Sequence, residues 1–316
     1  MTVAFIFPGQ GSQAIGMGKG LFDAYESARK IFQEVDDALG EKLSTLIFEG
    51  DAAQLQLTAN AQPALMAVSL AALRALESEK GVVLSRDAKF VAGHSLGEYS
   101  ALAAAGALKI ADAARLLRLR GKAMQAAVPV GVGAMAALLG ADPELAAKIA
   151  GEASAASGAL CEVANDNGGG QIVVSGAKQA VELAIEIAKE NGVKRAMLLP
   201  VSAPFHCALM KPAAEAMREA LAATEIKPPL VDLVANVTAA PTRDPAEIRD
   251  LLVAQVCGAV RWRESMGFMH RQGVDLFVEI GAGKVLAGLV KRTAEGAKSL
   301  NVGLPAEVES FNLTAI

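Results

Sequence analysis

A pentapeptide centred on Ser95 has the residue types that nucleophilic catalysis requires. Gly93-His94-Ser95-Leu96-Gly97 fits the pattern G-x-S-x-G, in which a serine stands on a sharp turn between a strand and a helix. The flanking sequence suits that context, because 89–92 predicts a short strand and 96–106 predicts a helix. Free backbone N–H groups at such a helix N-terminus favour negative charge that develops on a reacting carbonyl. We therefore predict that Ser95 is a nucleophile; the alternative is a glycine-rich turn with an incidental serine.

The predicted nucleophile requires a base, because a serine hydroxyl alone is weakly nucleophilic. The chain has 3 histidines. His94 adjoins the serine in a tight turn that directs its side chain elsewhere, and His270 lies in a polar stretch where we expect it to be solvated. His206 lies in Ala203-Pro204-Phe205-His206-Cys207, at the point where the chain re-enters the larger of two predicted domains. By elimination we predict that His206 is the base; a structural or surface role is the alternative.

An arginine lies on the apolar face of the helix predicted for 113–124. The position of Arg120 falls on a stripe formed by Ala113, Leu116, Leu117 and Met124. The opposite face carries basic residues that we expect to be solvated, namely Arg115, Arg118 and Lys122. An inward guanidinium is costly unless it meets an anion, and its planar fork suits a carboxylate. Two hypotheses follow for Arg120: an internal ion pair with Asp or Glu, or a site for a substrate carboxylate.

The elements that position these residues alternate between strands and helices. The apolar run 3–7 predicts a buried strand that ends at Pro8-Gly9, and helical periodicity follows over 25–39 and 63–77. Asp244-Pro245-Ala246-Glu247 predicts a helix start, and 274–280 predicts a further strand. The alternation indicates an α/β fold with a parallel sheet that is covered on both faces. Residues 301–316 are predicted to form a tail.

The middle of the chain has a different order of elements. The sequence predicts, in this order, a strand over 133–139, a helix over 143–155, strands over 159–164 and 171–175, a helix over 177–190 and a strand over 195–199. This βαββαβ order is typical of ferredoxin-like units. We therefore predict a ferredoxin-like subdomain over 128–199, inserted into a larger domain formed by 1–127 and 200–316.

Composition excludes several classes of protein. A formal net charge of −4 argues against general nucleic-acid binding. No apolar run approaches the ~20 residues of a membrane-spanning helix, and the short apolar N-terminus lacks the basic leader of a secretory signal. The 3 cysteines are widely spaced and form neither a disulfide framework nor a C-x-x-C metal site. We therefore expect a cytoplasmic protein with reduced, buried thiols.

Several motifs in order along the chain resemble the family of malonyl-CoA:acyl carrier protein transacylases and the related acyltransferase domains of polyketide synthases. The match extends over essentially the whole sequence. The matching segments are Gly9-Gln10-Gly11-Ser12-Gln13, Gly93-His94-Ser95-Leu96-Gly97-Glu98, Arg120-Gly121-Lys122, His206-Cys207-Ala208-Leu209-Met210, Gln255 before Arg261-Trp262, and Glu279-Ile280-Gly281.

The resemblance implies a fold and a catalytic arrangement. The fold would be an α/β-hydrolase-like core with a ferredoxin-like insertion. Ser95 and His206 would form a dyad without a third carboxylate, and the backbone carbonyl of Gln255 would orient the histidine. The backbone N–H groups of Gln10 and Leu96 would form the oxyanion hole.

The resemblance also implies the reaction. The chain would move malonyl from malonyl-CoA to the phosphopantetheine thiol of acyl carrier protein, through malonyl-Ser95, in fatty acid biosynthesis. Arg120 would pair with the malonyl carboxylate, Phe205 would exclude an α-methyl branch, and Met124 would contact the substrate. We expect no metal, no permanently bound cofactor and a monomer. Alternatives are a serine esterase or thioesterase on the same dyad, and a non-catalytic module that binds acyl carrier protein. Basic residues are predicted to receive the acidic carrier: Lys284, Lys291 and Arg292.

Overall fold

Strands of the chain form two separate sheets in the computed structural model, which describes residues 1–313. The strands are β1 (Val3–Phe7), β2 (Phe90–Gly93), β3 (Gly133–Leu139), β4 (Cys161–Asp166), β5 (Gln171–Ala177), β6 (Arg195–Leu198), β7 (Asp232–Val234), β8 (Pro241–Thr242), β9 (Leu276–Ile280) and β10 (Lys298–Val302).

Helices connect and cover these strands. They are α1 (Lys19–Ala24), α2 (Glu26–Leu39), α3 (Leu43–Glu49), α4 (Ala52–Gln56), α5 (Thr58–Lys80), α6 (Leu84–Asp87), α7 (Gly97–Ala104), α8 (Ile110–Ala127), α9 (Pro143–Ser157), α10 (Lys178–Glu190), α11 (Lys211–Ala222), α12 (Pro245–Cys257), α13 (Trp262–Arg271), α14 (Val285–Thr293) and α15 (Pro305–Ser310). The predicted start of α12 is confirmed, because Asp244 accepts a hydrogen bond from the Ala246 N–H and Pro245 occupies the first turn.

The main sheet has the strand order β10-β9-β1-β2-β7-β8. The first five strands in this order are parallel to one another, and only the short β8 pairs antiparallel with β7. All residues of β1, β2 and β9 are buried, as expected for parallel strands that helices cover on both faces. The predicted α/β class with a parallel sheet is confirmed.

The second sheet is antiparallel and lies within the middle of the chain. Its strand order is β4-β5-β3-β6, and its elements follow the chain order β3-α9-β4-β5-α10-β6. Apolar side chains of the sheet, α9 and α10 form a core of their own, which includes Leu138, Ile149, Val174 and Val181. This sheet contacts the rest of the protein beside β4, where Asn165 pairs with Val260.

The C-terminal segment is more ordered than the sequence predicts. Instead of a tail, β10 extends the main sheet parallel to β9, and α15 follows it. The carboxylate of Glu307 accepts hydrogen bonds from the backbone N–H groups of Gly303 and Leu304, which fixes the start of α15. The prediction of a tail is therefore wrong for 301–310, and residues 314–316 lie outside the described part.

Candidate active site

The turn between β2 and α7 holds Ser95 in an unusual backbone conformation. Its φ angle is 54°, in the left-handed region that non-glycine residues seldom occupy. The flanking glycines allow this geometry, because a Cβ at Gly93 would lie 1.9 Å from the Gly97 carbonyl carbon. A Cβ at Gly97 would lie 2.3 Å from the Phe7 carbonyl oxygen. The turn therefore has the strand–turn–helix geometry of a nucleophile elbow, with the serine side chain facing a cavity.

His206 contacts the serine directly. Its Nε2 lies 2.8 Å from Ser95 Oγ. On the other side of the ring, Nδ1 lies 2.9 Å from the Gln255 carbonyl oxygen and 3.1 Å from the Gly258 carbonyl oxygen. Because carbonyl oxygens only accept hydrogen bonds, Nδ1 carries the proton and Nε2 is free to accept the serine proton. The end of α12 and the turn after it thus occupy the place of a triad carboxylate.

The surroundings keep the His206 imidazole neutral. Burial is the main cause that lowers its pKa, and the positive charge of Arg120 lowers the pKa further; the result is about 3. The carbonyls of Gln255 and Gly258 oppose this shift by stabilising the imidazolium. At neutral pH the ring can therefore act as a proton acceptor.

The other two histidines lie apart from the serine hydroxyl. His94 Nε2 lies 2.9 Å from the side-chain oxygen of Asn167, in the second sheet's β4–β5 connection. His270 is half-buried, and its Nδ1 lies 2.9 Å from the Val274 carbonyl oxygen, so its side chain is less solvated than expected. The elimination that singled out His206 agrees with these positions.

Arg120 points into the protein, as its place on the apolar stripe predicts. The residue is 1% exposed. Nη1 donates to Gln62 Oε1 at 2.8 Å, and Nη2 donates to Gln255 Oε1 at 2.8 Å. Nη2 also lies 3.2 Å from Ser95 Oγ. Within residues 1–313 no carboxylate forms an ion pair with this guanidinium, and its Nε has no partner. Of the two hypotheses, the internal ion pair is not observed.

One residue on the opposite face of α8 is less solvated than predicted. The side chain of Arg118 is 11% exposed. It donates a hydrogen bond to the Ala59 carbonyl at 2.8 Å and also contacts Asn60 and Glu41. The N-terminal end of α5 covers it, so the prediction that Arg118 is solvated is wrong.

Two residues that line the cavity beside the serine have backbone N–H groups without a protein partner in the described part of the chain. Gln10 lies in the loop after β1, and Leu96 lies at the start of α7. Among residues 1–313 we find no protein acceptor for either N–H. The N–H of Ser95 itself is already donated to Asn236 Oδ1 at 2.8 Å. The arrangement therefore leaves the two amides that the resemblance implied available for an oxyanion.

A cavity of about 460 Å³ contains these groups. Met124 and Phe205 line it beside Arg120, together with Met135 from the second sheet. The sequence analysis missed Gln62, Asn165 and Gln171, which also line it. For Gln62 a signal existed, since a glutamine in the largely apolar run 61–73 of α5 resembles the case of Arg120.

Within residues 1–313 no group of His, Cys, Asp and Glu side chains could hold a metal ion. The 3 cysteines are free thiols; burial raises the pKa of Cys161 and of Cys207. None of the helices in the same part of the chain has the length and apolar character that crossing a bilayer requires.

Comparisons with known proteins show the family of the chain. The family model described as "Acyl transferase domain" matches residues 4–307. The malonyl CoA-acyl carrier protein transacylase of Bacillus subtilis (strain 168) is 50% identical over 307 residues, which cover 97% of this chain and 95% of that protein.

Solved structures show the same similarity. The acyl-carrier-protein-S-malonyltransferase of Bartonella henselae superposes with a TM-score of 0.95 at 57% identity, covering 98% of each chain. A malonyl-transacylase solved in complex with a type II PKS acyl-carrier protein gives a TM-score of 0.94 at 41% identity, again over 98% of each chain. The chain belongs to the acyl transferase family.

Proposed function

We propose that the chain transfers malonyl from malonyl-CoA to the phosphopantetheine thiol of acyl carrier protein, through a malonyl-Ser95 intermediate in fatty acid biosynthesis. The observation that carries the proposal is the buried guanidinium of Arg120, which lies beside the paired Ser95 and His206 and forms no ion pair with a carboxylate of residues 1–313. The relatives described above bear names that specify malonyl and acyl carrier protein.

In the first step Ser95 is acylated. Its Oγ attacks the thioester carbonyl of malonyl-CoA while His206 Nε2 accepts the hydroxyl proton. The N–H groups of Gln10 and Leu96 hold the oxygen that becomes negative; losing one such donor typically costs ~2.7–4 kcal/mol of barrier. The C–S bond then breaks, and the CoA sulfur leaves as a thiol with the proton from His206.

In the second step the roles reverse. The thiol of the carrier's phosphopantetheine gives its proton to His206 and attacks the malonyl-serine ester. The tetrahedral intermediate uses the same two N–H groups. When it collapses, Ser95 Oγ regains a proton from His206, and malonyl leaves on the carrier.

Arg120 would supply selectivity for the acyl group. Its fork can donate to the malonyl carboxylate, with charge-assisted bonds of roughly 1.5–3 kcal/mol each. The buried ring of Phe205 lines the same cavity, and we propose that it disfavours an α-methyl branch. Met124 would form part of the apolar wall beside the malonyl methylene.

The carrier protein would dock near α14. Lys284 precedes this helix, and its last turn carries Lys291 and Arg292. Gly283 lies next to Ser12, which follows the cavity-lining residues Gln10 and Gly11, so this surface is close to the entrance. Carrier proteins are acidic, and a basic surface would increase the rate of association.

We propose that 128–199 is a ferredoxin-like subdomain inserted into an α/β-hydrolase-like domain of 1–127 and 200–316. Its support is the βαββαβ order, the strand order β4-β5-β3-β6 and the separate apolar core.

The proposal extends to the oligomeric state, the cofactor content and the compartment of the enzyme. Both steps use only side chains and amides of one chain, so we propose a monomer without a permanently bound cofactor. Three unpaired cysteines fit a reducing cytoplasm.

A transfer assay with both substrates tests the proposed function. The protein is incubated with malonyl-CoA, with or without the phosphopantetheinylated carrier, and the malonyl carrier and free malonate are quantified separately. We expect malonyl carrier in the complete mixture, and a stable acyl-enzyme when the carrier is omitted. Continuous release of malonate without the carrier would support the esterase or thioesterase alternative instead.

A further inference from the structure

The side chain of Asn236 binds both sides of the turn that carries Ser95. Its Oδ1 accepts a hydrogen bond from the Ser95 N–H at 2.8 Å, and its Nδ2 donates to the Gly93 carbonyl at 2.7 Å. The residue is 0% exposed. Its own N–H donates to Glu98 Oε2 at 3.0 Å, and its carbonyl accepts from the Arg261 N–H at 3.0 Å. Asn236 is therefore fixed on all sides.

These two hydrogen bonds of the Asn236 side chain hold a strained segment, the turn at Ser95. Ser95 has a φ of 54°, which a serine adopts only where the surrounding structure enforces it. The glycines around it remove steric obstacles but do not select this conformation, because glycine accepts many others. The amide of Asn236 can stabilise it, because its two hydrogen bonds join the Gly93 carbonyl and the Ser95 N–H across the turn.

The same bonds also determine which amides remain for the reaction. With the Ser95 N–H donated to Asn236, the next amide along the turn is that of Leu96, a residue that lines the cavity. In the same conformation Ser95 Oγ lies 2.8 Å from His206 Nε2.

We propose that Asn236 is a positioning residue that holds the nucleophile turn in its reactive conformation, through its bonds to the Gly93 carbonyl and the Ser95 amide. The inference rests on the proposed function, because it assigns Asn236 a role in acylation of Ser95. Asn236 does not line the cavity, so it acts through the turn and not on the substrate.

The test compares Asn236→Ala with wild type in single-turnover acylation by malonyl-CoA, followed by intact-protein mass spectrometry. We expect the acylation rate constant to fall roughly 100-fold, the size of effect that a displacement of about 1 Å can produce. The KM for malonyl-CoA should not change, because cavity contacts remain. The melting temperature is measured in parallel, and rates are corrected for the folded fraction.

A second variant covers the case in which Asn236→Ala does not fold. Asn236→Asp is nearly isosteric; it keeps an acceptor for the Ser95 N–H but loses the donor to the Gly93 carbonyl. We expect acylation slower than wild type and unchanged KM. The control is Asn301→Ala. Asn301 is half-buried, does not line the cavity, and donates a hydrogen bond to Glu307 Oε1 that the substitution removes. This variant should lose stability without losing rate.

The outcomes separate this inference from the proposed function. If folded Asn236→Ala or Asn236→Asp acylates as fast as wild type, the positioning role is overturned while malonyl transfer stands. If the rate falls only in proportion to the unfolded fraction, the role is merely structural and the inference is also overturned. If wild type itself forms no malonyl adduct, the proposed function fails first.

Discussion

Arg120 Nη2 lies 3.2 Å from Ser95 Oγ, so a fixed positive charge and the nucleophilic oxygen meet at one point of the cavity. In a malonyl thioester one methylene separates the reacting carbonyl from the free carboxylate. An acyl group of that length can therefore present its carbonyl to Ser95 while its carboxylate meets the guanidinium. An acetyl group has no carboxylate and therefore gains no ion pair with Arg120.

Removing the guanidinium should change the choice of acyl group. In Arg120→Ala we expect kcat/KM for malonyl-CoA to fall at least about 100-fold, because more than one charge-assisted bond of ~1.5–3 kcal/mol is lost. Transfer of acetyl should persist or increase. The measurement is kcat/KM with both donors at saturating carrier protein.

Arg118→Ala is the matched control on the same helix. Arg118 binds the Ala59 carbonyl and Glu41 and does not line the cavity. Its variant should keep the wild-type ratio of malonyl to acetyl transfer. Equal losses of both activities in Arg120→Ala would contradict a carboxylate-binding role.

Close packing of α8 against the start of α5 should make Gly121 sensitive to substitution. An added Cβ would lie 2.5 Å from the Ala59 Cα and 2.6 Å from the Thr58 carbonyl oxygen. We expect Gly121→Ala to lower the free energy of unfolding by ~1–3 kcal/mol and to impair malonyl transfer through the adjacent Arg120. Gly151→Ala, in α9 with no atom within 4 Å of the new Cβ, should instead stabilise by about 0.5–1 kcal/mol. Denaturant titration measures both; wild-type stability of Gly121→Ala would refute the packing argument.

Acylation should tolerate acidic conditions. The neutral form of His206 accepts the proton, and its pKa is lowered to about 3 by burial and by the charge of Arg120. The base is therefore present above that value and is lost only as the pH falls towards it, and not near 6.5 as for an ordinary histidine. The check is the single-turnover acylation rate from pH 5 to pH 8, restricted to conditions in which the protein stays folded.

Glu98 needs a control in that experiment, because burial raises its pKa to about 7. Its carboxylate accepts from the Asn236 N–H and from Gln255 Nε2, behind the nucleophile turn. Glu98→Gln removes this titration while keeping an acceptor. If wild type and Glu98→Gln both lose half of their acylation rate as the pH falls to about 6.5, the ordinary pKa of a histidine, the lowered pKa of His206 is contradicted.

Charge reversal at the start of α14 and in its last turn should affect the carrier step alone. In Lys284→Glu and Lys291→Glu we expect kcat/KM for acyl carrier protein to fall several-fold at low salt, while acylation by malonyl-CoA is unchanged. Lys189→Glu, on the exposed face of α10, is the control and should behave as wild type. A carrier reaction that responds neither to salt nor to these substitutions would exclude this docking surface.

Features encoded locally could be predicted from the sequence. The turn at Ser95 is a contiguous motif between a strand and a helix. The inward position of Arg120 follows from helical periodicity within one segment. The scarcity of histidines then singled out His206. The same reasoning, applied to α5, would have found Gln62 as a polar residue on a buried helix.

Features that depend on contacts between distant segments could not be predicted in this way. Asn236 reaches the nucleophile turn only because β7 pairs with β2, and no local pattern specifies that pairing. Arg118 lies on the solvent side of its own helix but is covered by the start of α5. The strand β10 was missed because it is mostly half-buried at the sheet edge, so its apolar alternation is weak.

The most direct test of the central claim is the intact mass of the protein after brief incubation with malonyl-CoA or acetyl-CoA, for wild type and for Ser95→Ala. We expect a malonyl adduct on wild type, little or no acetyl adduct, and no adduct on Ser95→Ala. Addition of acyl carrier protein should remove the malonyl adduct and load the carrier. A malonyl adduct that persists on Ser95→Ala, or steady CoA release from wild type with no adduct, would contradict transfer through Ser95.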